Sequence, residues 1–589
     1  VFDSDYGALT GAKLNVAQPN GSTITFVSGP NGTADLGRLP KGKYSVEILW
    51  QGITVALNST NLAGNIVWVN LCQVYNPVIN ITGMHERTLK GAVVEVRHPN
   101  ETLFSIQTGA GGNVRLVQVP KGRYEIRVLW MGCLVYYGAT DVSASSTISL
   151  KVAVYDFTLK LLDSRGVPLG DVTLELTYPN GSQGTFYSEN GTLSFKDMPG
   201  YLSISTPNRY TASATYLGVT VYKGYFTVSS DTITIYLDVY YLTGTPLTTS
   251  GQPLAGAMVS ASGEAELSGI SSNAGFTLRL PRGKYTLSVF WMGVRVYETG
   301  VTIVRDVDLG KFTVDVHVVN LEFVLDTGKP VEGLTIRAEG LKISVENRTG
   351  SDGVAVLYLV TDTYMFTATY KGYTVYSGSM NIGNSMKLTV QPNLYEVVFK
   401  LEDQLSKSLN GAVIRVSNSN FTEEVTTGPN GVTEAMLLPG MEFTVDVYWF
   451  DVKVHSTSVR PTSSGSIELI VDLAYLTINV KSYYNLVSEC PSAGSNVTLL
   501  DSTGKLIFTA ISDKDGFVRF EQLPPGSYTL IVRKTTEVKM GIELSPGENS
   551  VKVTLDETFL GLSRLHTALL LILPPIVLVA ALLIWRRRR

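Results

Sequence analysis

The sequence predicts an all-β chain: a tandem array of β-sandwiches followed by one C-terminal transmembrane helix. Three observations carry this: a repeat of about 80 residues, a composition rich in turn and strand formers, and one long apolar run near the C-terminus. At 589 residues the chain is long enough for several domains. Gly (55), Pro (24) and Tyr (30), with abundant Val and Thr, mark short strands punctuated by turns. Lys plus Arg (47) nearly balances Asp plus Glu (51), so no nucleic-acid partner is expected. The three cysteines, Cys72, Cys133 and Cys490, are too few for a disulfide scaffold and show no CxxC spacing, so packing must hold the domains together.

The repeat is visible when Gly29 to Val55, GPNGTADLGRLPKGKYSVEILWQGITV, is set against Gly109 to Val135, GAGGNVRLVQVPKGRYEIRVLWMGCLV, at an offset of 80. A turn glycine marks each of seven units: Gly32, Gly112, Gly191, Gly275, Gly353, Gly431 and Gly516. Asn-Gly or Asp-Gly at several of these is read as a tight hairpin with two positive-φ positions. Between glycine and proline, polar and apolar residues alternate, as in Gly516 to Leu523, the period of a half-buried strand. A proline follows in six units, and Thr361 takes its place in the fifth. Pro-x-Gly-x-Tyr then ends one strand and begins the next at Pro40 to Tyr44, Pro120 to Tyr124, Pro281 to Tyr285 and Pro524 to Tyr528. A tyrosine at such a corner can bury its ring and tie its hydroxyl to the backbone, as in immunoglobulin sandwiches.

ISDKDGFVRFEQLPPGSYTLIVRK (Ile511 to Lys534) resembles the carboxypeptidase-regulatory-like, or transthyretin-like, modules, with their D-x-x-G-x-[apolar] turn followed by L-P-x-G-x-Y. Asp163 to Gly170 and Gly251 to Ala257 look like that family's first turn. The resemblance covers all seven units. It implies immunoglobulin-like (prealbumin-like) Greek-key sandwiches of seven strands, the surface of a prokaryotic and in particular archaeal cell, and no chemistry. The expected modules are 1–72, 73–152, 153–236, 237–311, 312–391, 392–472 and 473–557, then a juxtamembrane linker, 558–566. Units one, two, four and six add a hairpin opening with Trp50, Trp130, Trp291 and Trp449; units three and five carry Tyr216 and Tyr370 there. These aromatic-x-Gly hairpins are a platform for sugars, a dock for the neighbouring unit, or rings over the sandwich edge with the glycine serving the turn; the last is favoured.

No catalytic, cofactor or metal site assembles from the sequence. The histidines His85, His98, His317, His455 and His566 are scattered, and HExxH, Cys-His and GxSxG patterns are absent. Asp513-Lys-Asp515-Gly516 looks like the start of a calcium loop, but no closing Glu follows, and it is read as a turn. Cys72 and Cys133 lie in neighbouring units and are candidates for a bridge. Ten sequons, Asn20, Asn31, Asn58, Asn80, Asn100, Asn180, Asn190, Asn347, Asn420 and Asn496, are roughly twice what chance placement gives and are candidate N-glycosylation sites.

From Thr567 to Trp585 runs an uncharged apolar segment of about 28 Å at helical rise, close to the hydrocarbon thickness of a bilayer. Pro574 and Pro575 within it should kink the helix. Arg586 to Arg589 place the C-terminus in the cytoplasm and the modules outside the cell. An outward-facing chain that starts at Val1 is expected to be a mature form or the C-terminal part of a longer protein. The functional expectation is a membrane-anchored extracellular stalk or surface-layer-type structural protein. Its partners would be membrane lipid through the helix, and neighbouring surface proteins or glycans. The rivals are the tether of a surface enzyme, for example a protease, and a carbohydrate-binding adhesin.

Overall fold

Residues 1–203, 205 and 207–588 are described by a computed structural model. They form two compact units, Val1–Asp315 and Val316–Arg589. Arg589, the last residue of the expected arginine tail, lies outside the described residues.

The third module shows how alternating sequence becomes a sandwich. Thr192–Pro199, Val154–Leu162 and Thr232–Tyr236 form a three-stranded sheet, with the first and last strands of the module paired in parallel. Gln183–Ser188, Val172–Thr177, Tyr210–Tyr216 and Val219–Phe226 form the facing antiparallel sheet of four. Every second residue points inward, so Phe157, Leu159 and Leu161 of one sheet pack in one core with Val172, Leu174 and Leu176 of the other. Each such aliphatic side chain contributes about 1.5–3 kcal/mol on burial. Among the described residues every sheet is built from strands of a single module, so each module is a self-contained sandwich. The first module keeps its four-stranded sheet, but its other layer is reduced to bridges from Phe2 to Leu71 and Ala8. In the fourth, the closing strand Val307–Thr313 runs past residue 311, where the sequence placed a boundary.

The turn glycines work differently from the sequence expectation. Gly32, Gly112, Gly191, Gly353, Gly431 and Gly516 are left-handed, but the residue before each, Asn or Asp in all but Gly112, is not. The glycine itself is required: at Gly516 (φ +81) a Cβ would lie 2.4 Å from the Val480 carbonyl. That close approach lets the Val480 amide donate to the Gly516 carbonyl at 2.7 Å. The two-residue turns with paired positive φ belong to the aromatic hairpins, as in Gln51-Gly52 (φ 50 and 79) and Met131-Gly132 (φ 51 and 75). These hairpins are the regular join of the third and fourth strands of the larger sheet and not an insertion.

The corner tyrosines behave as the sequence implied. Tyr44, Tyr124, Tyr285 and Tyr528 donate to the carbonyls of Pro40, Pro120, Pro281 and Pro524 at 2.8, 2.6, 2.9 and 2.7 Å. Tyr210 reaches Pro199 from eleven residues away (2.8 Å), and Tyr364 donates to Val360, the residue that aligns with the prolines in the fifth module instead of Thr361. Burial pushes the Tyr528 phenol up to about 12, so the donor is never ionised at ordinary pH.

One helix, Arg564–Arg587, follows the seventh module, capped by Ser563 and continuous through Pro574 and Pro575. Its apolar stretch is long enough to cross a membrane.

Tyr528→Ala should destabilise the seventh module by about 3 kcal/mol or more through lost burial and the cavity left. Tyr528→Phe should cost about 1 kcal/mol, for the orphaned Pro524 carbonyl alone. Chemical denaturation followed through this module checks both, and equal costs would contradict the corner's role.

Candidate functional site: the joints between modules

The chemistry-bearing side chains do not gather. Among the described residues no three His, Cys, Asp or Glu side chains are placed to hold a metal ion. His85 faces Asp231 at 3.3 Å, His317 bonds Thr361 Oγ1 at 2.9 Å, and His566 meets Ser563 at the helix cap. His98 is buried between the rings of Phe104 and Tyr124, 4.8 and 5.1 Å away. Asp513 spends Oδ1 on the amides of Asp515 and Phe517, which makes its loop a turn. Cys72 and Cys133 are free thiols. Cys72 belongs to the core of the first module, whereas Cys133 opens the hairpin strand Cys133–Val142 of the second. Burial raises both thiols, Cys72 to about 11. Nine sequon asparagines are exposed, and Asn80, in the strand Val78–Thr82, is half-buried.

Polar side chains converge instead where one module meets the next. At three joints the tryptophan of the hairpin donates its indole Nε1–H, at 2.6 Å, to a backbone carbonyl of the following module: Trp50 to Gln118, Trp130 to Asp197, Trp449 to Gln522. Trp50 and Trp130 also pack against the cores of their own modules, as the sequence reading has it, so the ring covers its own sandwich while its Nε1–H docks on the neighbour. Each acceptor lies two residues before the corner proline and is left-handed (φ 52, 54 and 53) although none is glycine. At Asp197 and Gln522 the strand pairing slips at this point, and at Gln118 the strand is interrupted. The carbonyl is thereby turned out of its ladder toward the indole.

A second contact comes from the first turn of the preceding module. Asp3, Asp163 and Asp403 are 0–2 % exposed, and each uses Oδ1 to hold two amides of its own turn. Their Oδ2 atoms accept from the next module. Asp3 takes Asn76 at 3.2 Å and Gln118 at 3.3 Å. Asp163 takes the Tyr241 hydroxyl at 2.6 Å and Arg279 at 2.9 Å. Asp403 takes the Tyr475 hydroxyl at 2.5 Å and Gln522 at 2.8 Å. Burial pushes the Asp403 carboxyl up, but the bonds from Tyr475, Lys407, Gln522 and Leu405 outweigh it and leave the group below its usual value.

In the second and fifth modules, whose first turns have no aspartate, a cation four residues on takes over. Arg87 reaches Asp156 and Asp197, the latter at 2.9 Å. Lys329 reaches Glu396 at 2.9 Å and also Glu434. The connecting peptide is bonded as well: the amides of Gln73, Ala153, Asp238 and Asn393 donate to the hairpin carbonyls of Val55, Val135, Val221 and Val375 at 2.7–2.9 Å. At these joints the arrangement fixes one sandwich on the next. The aromatic hairpins were visible in the sequence, but the acceptors were not, since Gln118, Asp197 and Gln522 share no residue type. Their common signal is position, two before a corner proline.

No protein-family model matches the chain, and no curated protein matches it in sequence. Solved structures that it resembles include the minor pilin GBS52 of Streptococcus agalactiae (11% identity, TM-score 0.20, 27% of this chain and 95% of that one). A streptococcal ancillary pilin matches at 11% identity with TM-score 0.22, over 41% of this chain and 99% of its own. The TIE protein of Bacillus anthracis matches at 12% with TM-score 0.15, over 82% and 74%. At these scores the likenesses carry no functional argument.

Two outcomes follow. Trp449→Phe keeps most of the ring but orphans the Gln522 carbonyl, so the joint should weaken by about 1–3 kcal/mol. Hydrogen exchange should quicken in the peptides around Leu473 and Leu523 and not in the cores of either module. At His98, burial holds the folded-state pKa below that of the unfolded chain, which therefore binds the proton first. Its contribution to the second module is complete above about pH 6.5 and is lost as pH falls below that. Thermal unfolding across this range should show the slope, and His98→Phe should flatten it.

Proposed function

We propose that the chain is a membrane-anchored extracellular stalk: seven modules, with the boundaries given above except that the fourth extends past residue 311 through Thr313, that hold a surface function away from a prokaryotic, archaeal cell. The observation that supports this most directly is the joint. A buried carboxylate or ion pair, a side-chain-to-backbone bond from the hairpin and a bonded connecting peptide resist bending between neighbours, as a spacer requires. The apolar helix followed by arginines supports a single-pass anchor with the modules outside and the C-terminus in the cytoplasm. The adhesin reading is weakened because the indole Nε1–H groups of Trp50, Trp130 and Trp449 are spent on the neighbouring module and are not free for a sugar. The tether reading uses the same rigidity and differs only in the cargo.

Glycans on the exposed sequons fit this reading. Asn20 and Asn190 sit in turns where Oδ1 already accepts the hydroxyl two residues on, at 2.7 Å. Asn100 and Asn180 make the same turn, but also donate Nδ2–H to the hairpin carbonyls of Gln51 and Met131 across a joint, at 2.9 and 3.0 Å. A glycan there would have to share the joint.

Protease added to intact cells should release the modules and leave a small membrane-bound C-terminal remnant. Mass spectrometry of the released peptides should find sugar on Asn20 and Asn190 ahead of the half-buried Asn80. Protection of the modules in intact cells, with digestion only after lysis, would reverse the orientation and end the stalk reading.

A further inference from the structure

The end of the seventh module beside the helix carries apolar side chains that the stalk reading does not use. The turn between Ala474–Tyr483 and Glu489–Pro491 exposes Tyr484 (67 %) and Val487 (83 %). Asn485 Oδ1 accepts the amides of Val487 and Ser488 and so holds Val487 outward. More than seventy residues on, the segment after the last strand exposes Phe559 (64 %), and Leu565 in the first turn of the helix is 68 % exposed. The fold brings these together: the rings of Tyr484 and Phe559 are 6.2 Å apart, and Leu486, Leu565 and Ala568 line one shallow groove with the ion-paired Asp556 and Arg564.

The helix start does not swing free of this surface. The last strand ends at Thr558 and the helix begins at Arg564. Thr558 and Thr567 share a buried hydroxyl bond of 2.6 Å, and the Thr558 amide donates to Leu562 at 2.9 Å. Arg564 donates to Asp556 at 2.7 Å and lies 4.2 Å over the ring of Tyr483. Buried Glu557 receives the amides of Thr535 and Thr536 at 3.0 and 3.3 Å, bracing the neighbouring hairpin turn. A helix of 24 residues is about 36 Å long, some 6 Å more than the hydrocarbon core, so its first turn lies at headgroup depth. Whatever is fixed to that turn lies there too.

We propose that the seventh module rests directly on the outer leaflet, with Tyr484, Val487, Phe559 and Leu565 immersed in the lipid interface as a second, non-helical membrane-binding surface. The inference rests on the reading that the helix spans the bilayer. Lipid is the occupant because the patch is continuous with the helix's own apolar surface. It also mixes aromatic rings with Arg564 and the exposed Lys534, the combination that favours the interface. The turn carrying Asp513, Lys514 and Asp515 is polar, so the patch occupies one side of the module and not its whole surface.

The test uses the full chain in phosphatidylcholine–phosphatidylglycerol nanodiscs, with Cys72, Cys133 and Cys490 replaced by alanine. Nitroxide labels are placed singly through Val487→Cys, Phe559→Cys, Leu506→Cys as an exposed control distant from the patch, and Leu578→Cys as the helix control. Collision with a water-soluble nickel chelate should fall several-fold at 487 and 559 relative to 506, while collision with oxygen is retained. Labels at 487 and 559 as accessible to nickel as 506, with 578 in lipid, would overturn the proposal and leave the anchor standing. A label at 578 open to nickel would overturn the anchor and the proposal together. Shielding of 487 from both reagents, with dipolar broadening between labels, would mean that a second copy of the chain covers the patch, and would overturn the lipid assignment.

Discussion

A backbone carbonyl turned out of its own sheet by a left-handed, non-glycine residue is the feature on which the joints of this protein depend. Holding Gln118, Asp197 and Gln522 in that conformation costs about 1–2 kcal/mol each. Within their own modules the amides of Gln118 and Asp197 donate to Asn76 and Asp156, while the carbonyls are left for the neighbour. Once the preceding hairpin is in place, the indole of Trp50, Trp130 or Trp449 meets the freed carbonyl at 2.6 Å. The strain then serves the contact, in the sense that a local outlier marks a functional position. Where the hairpin carries tyrosine, at Tyr216 and Tyr370, the next module has no such residue at this place. At the joints of Trp50, Trp130 and Trp449 the donor and the left-handed acceptor occur together.

The same economy appears in the first turn. Asp3, Asp163 and Asp403 are held by their own amides before the neighbour arrives, which removes much of the entropic cost of placing the second oxygen. In the second and fifth modules, Gly83 and Leu325 occupy the aspartate's position, and the polarity inverts: Arg87 and Lys329 now donate to acids. Joints of both signs within one chain discourage a module from docking on the wrong neighbour, since an Asp acceptor set against Asp156 or Glu396 is repelled. For tandem repeats, whose characteristic failure is misassembly between like domains, that discrimination matters as much as joint strength.

What the sequence revealed divides along this line. The corner tyrosines were legible because their partner is four residues away and the spacing is fixed by a turn. Tyr210 breaks the spacing and still finds Pro199, because its ring belongs to the same core. The turn glycines were legible as positions but not as mechanism: paired positive φ belongs to the aromatic hairpins, Gln51-Gly52 and its kin, of which only Phe450-Asp451 carries an Asp. The joints were nearly illegible. Their partners lie 67 to 73 residues apart, their acceptors are backbone atoms, and the residues carrying those atoms share only a distance from proline. Cys72 and Cys133, close in the repeat, belong to different surroundings because one is core and the other opens a hairpin strand.

The path of the chain through the second to seventh modules bears on the proposed stalk. It enters along the first strand and leaves along the last, and these two are hydrogen-bonded in parallel, as in Val154–Leu162 with Thr232–Tyr236 or Tyr395–Asp403 with Gly465–Val471. Tension between the ends of a module therefore acts along the strands, and the bonds between them are loaded together in shear instead of opening one at a time. At the joints of Trp50 and Trp130 the connecting peptide is bonded to the hairpin and the hairpin to the next module, so extension there cannot begin by paying out slack. A flexible linker would have placed an entropic spring there. Here the first compliant step is the loss of a joint's bonds, followed by shear of the parallel pair.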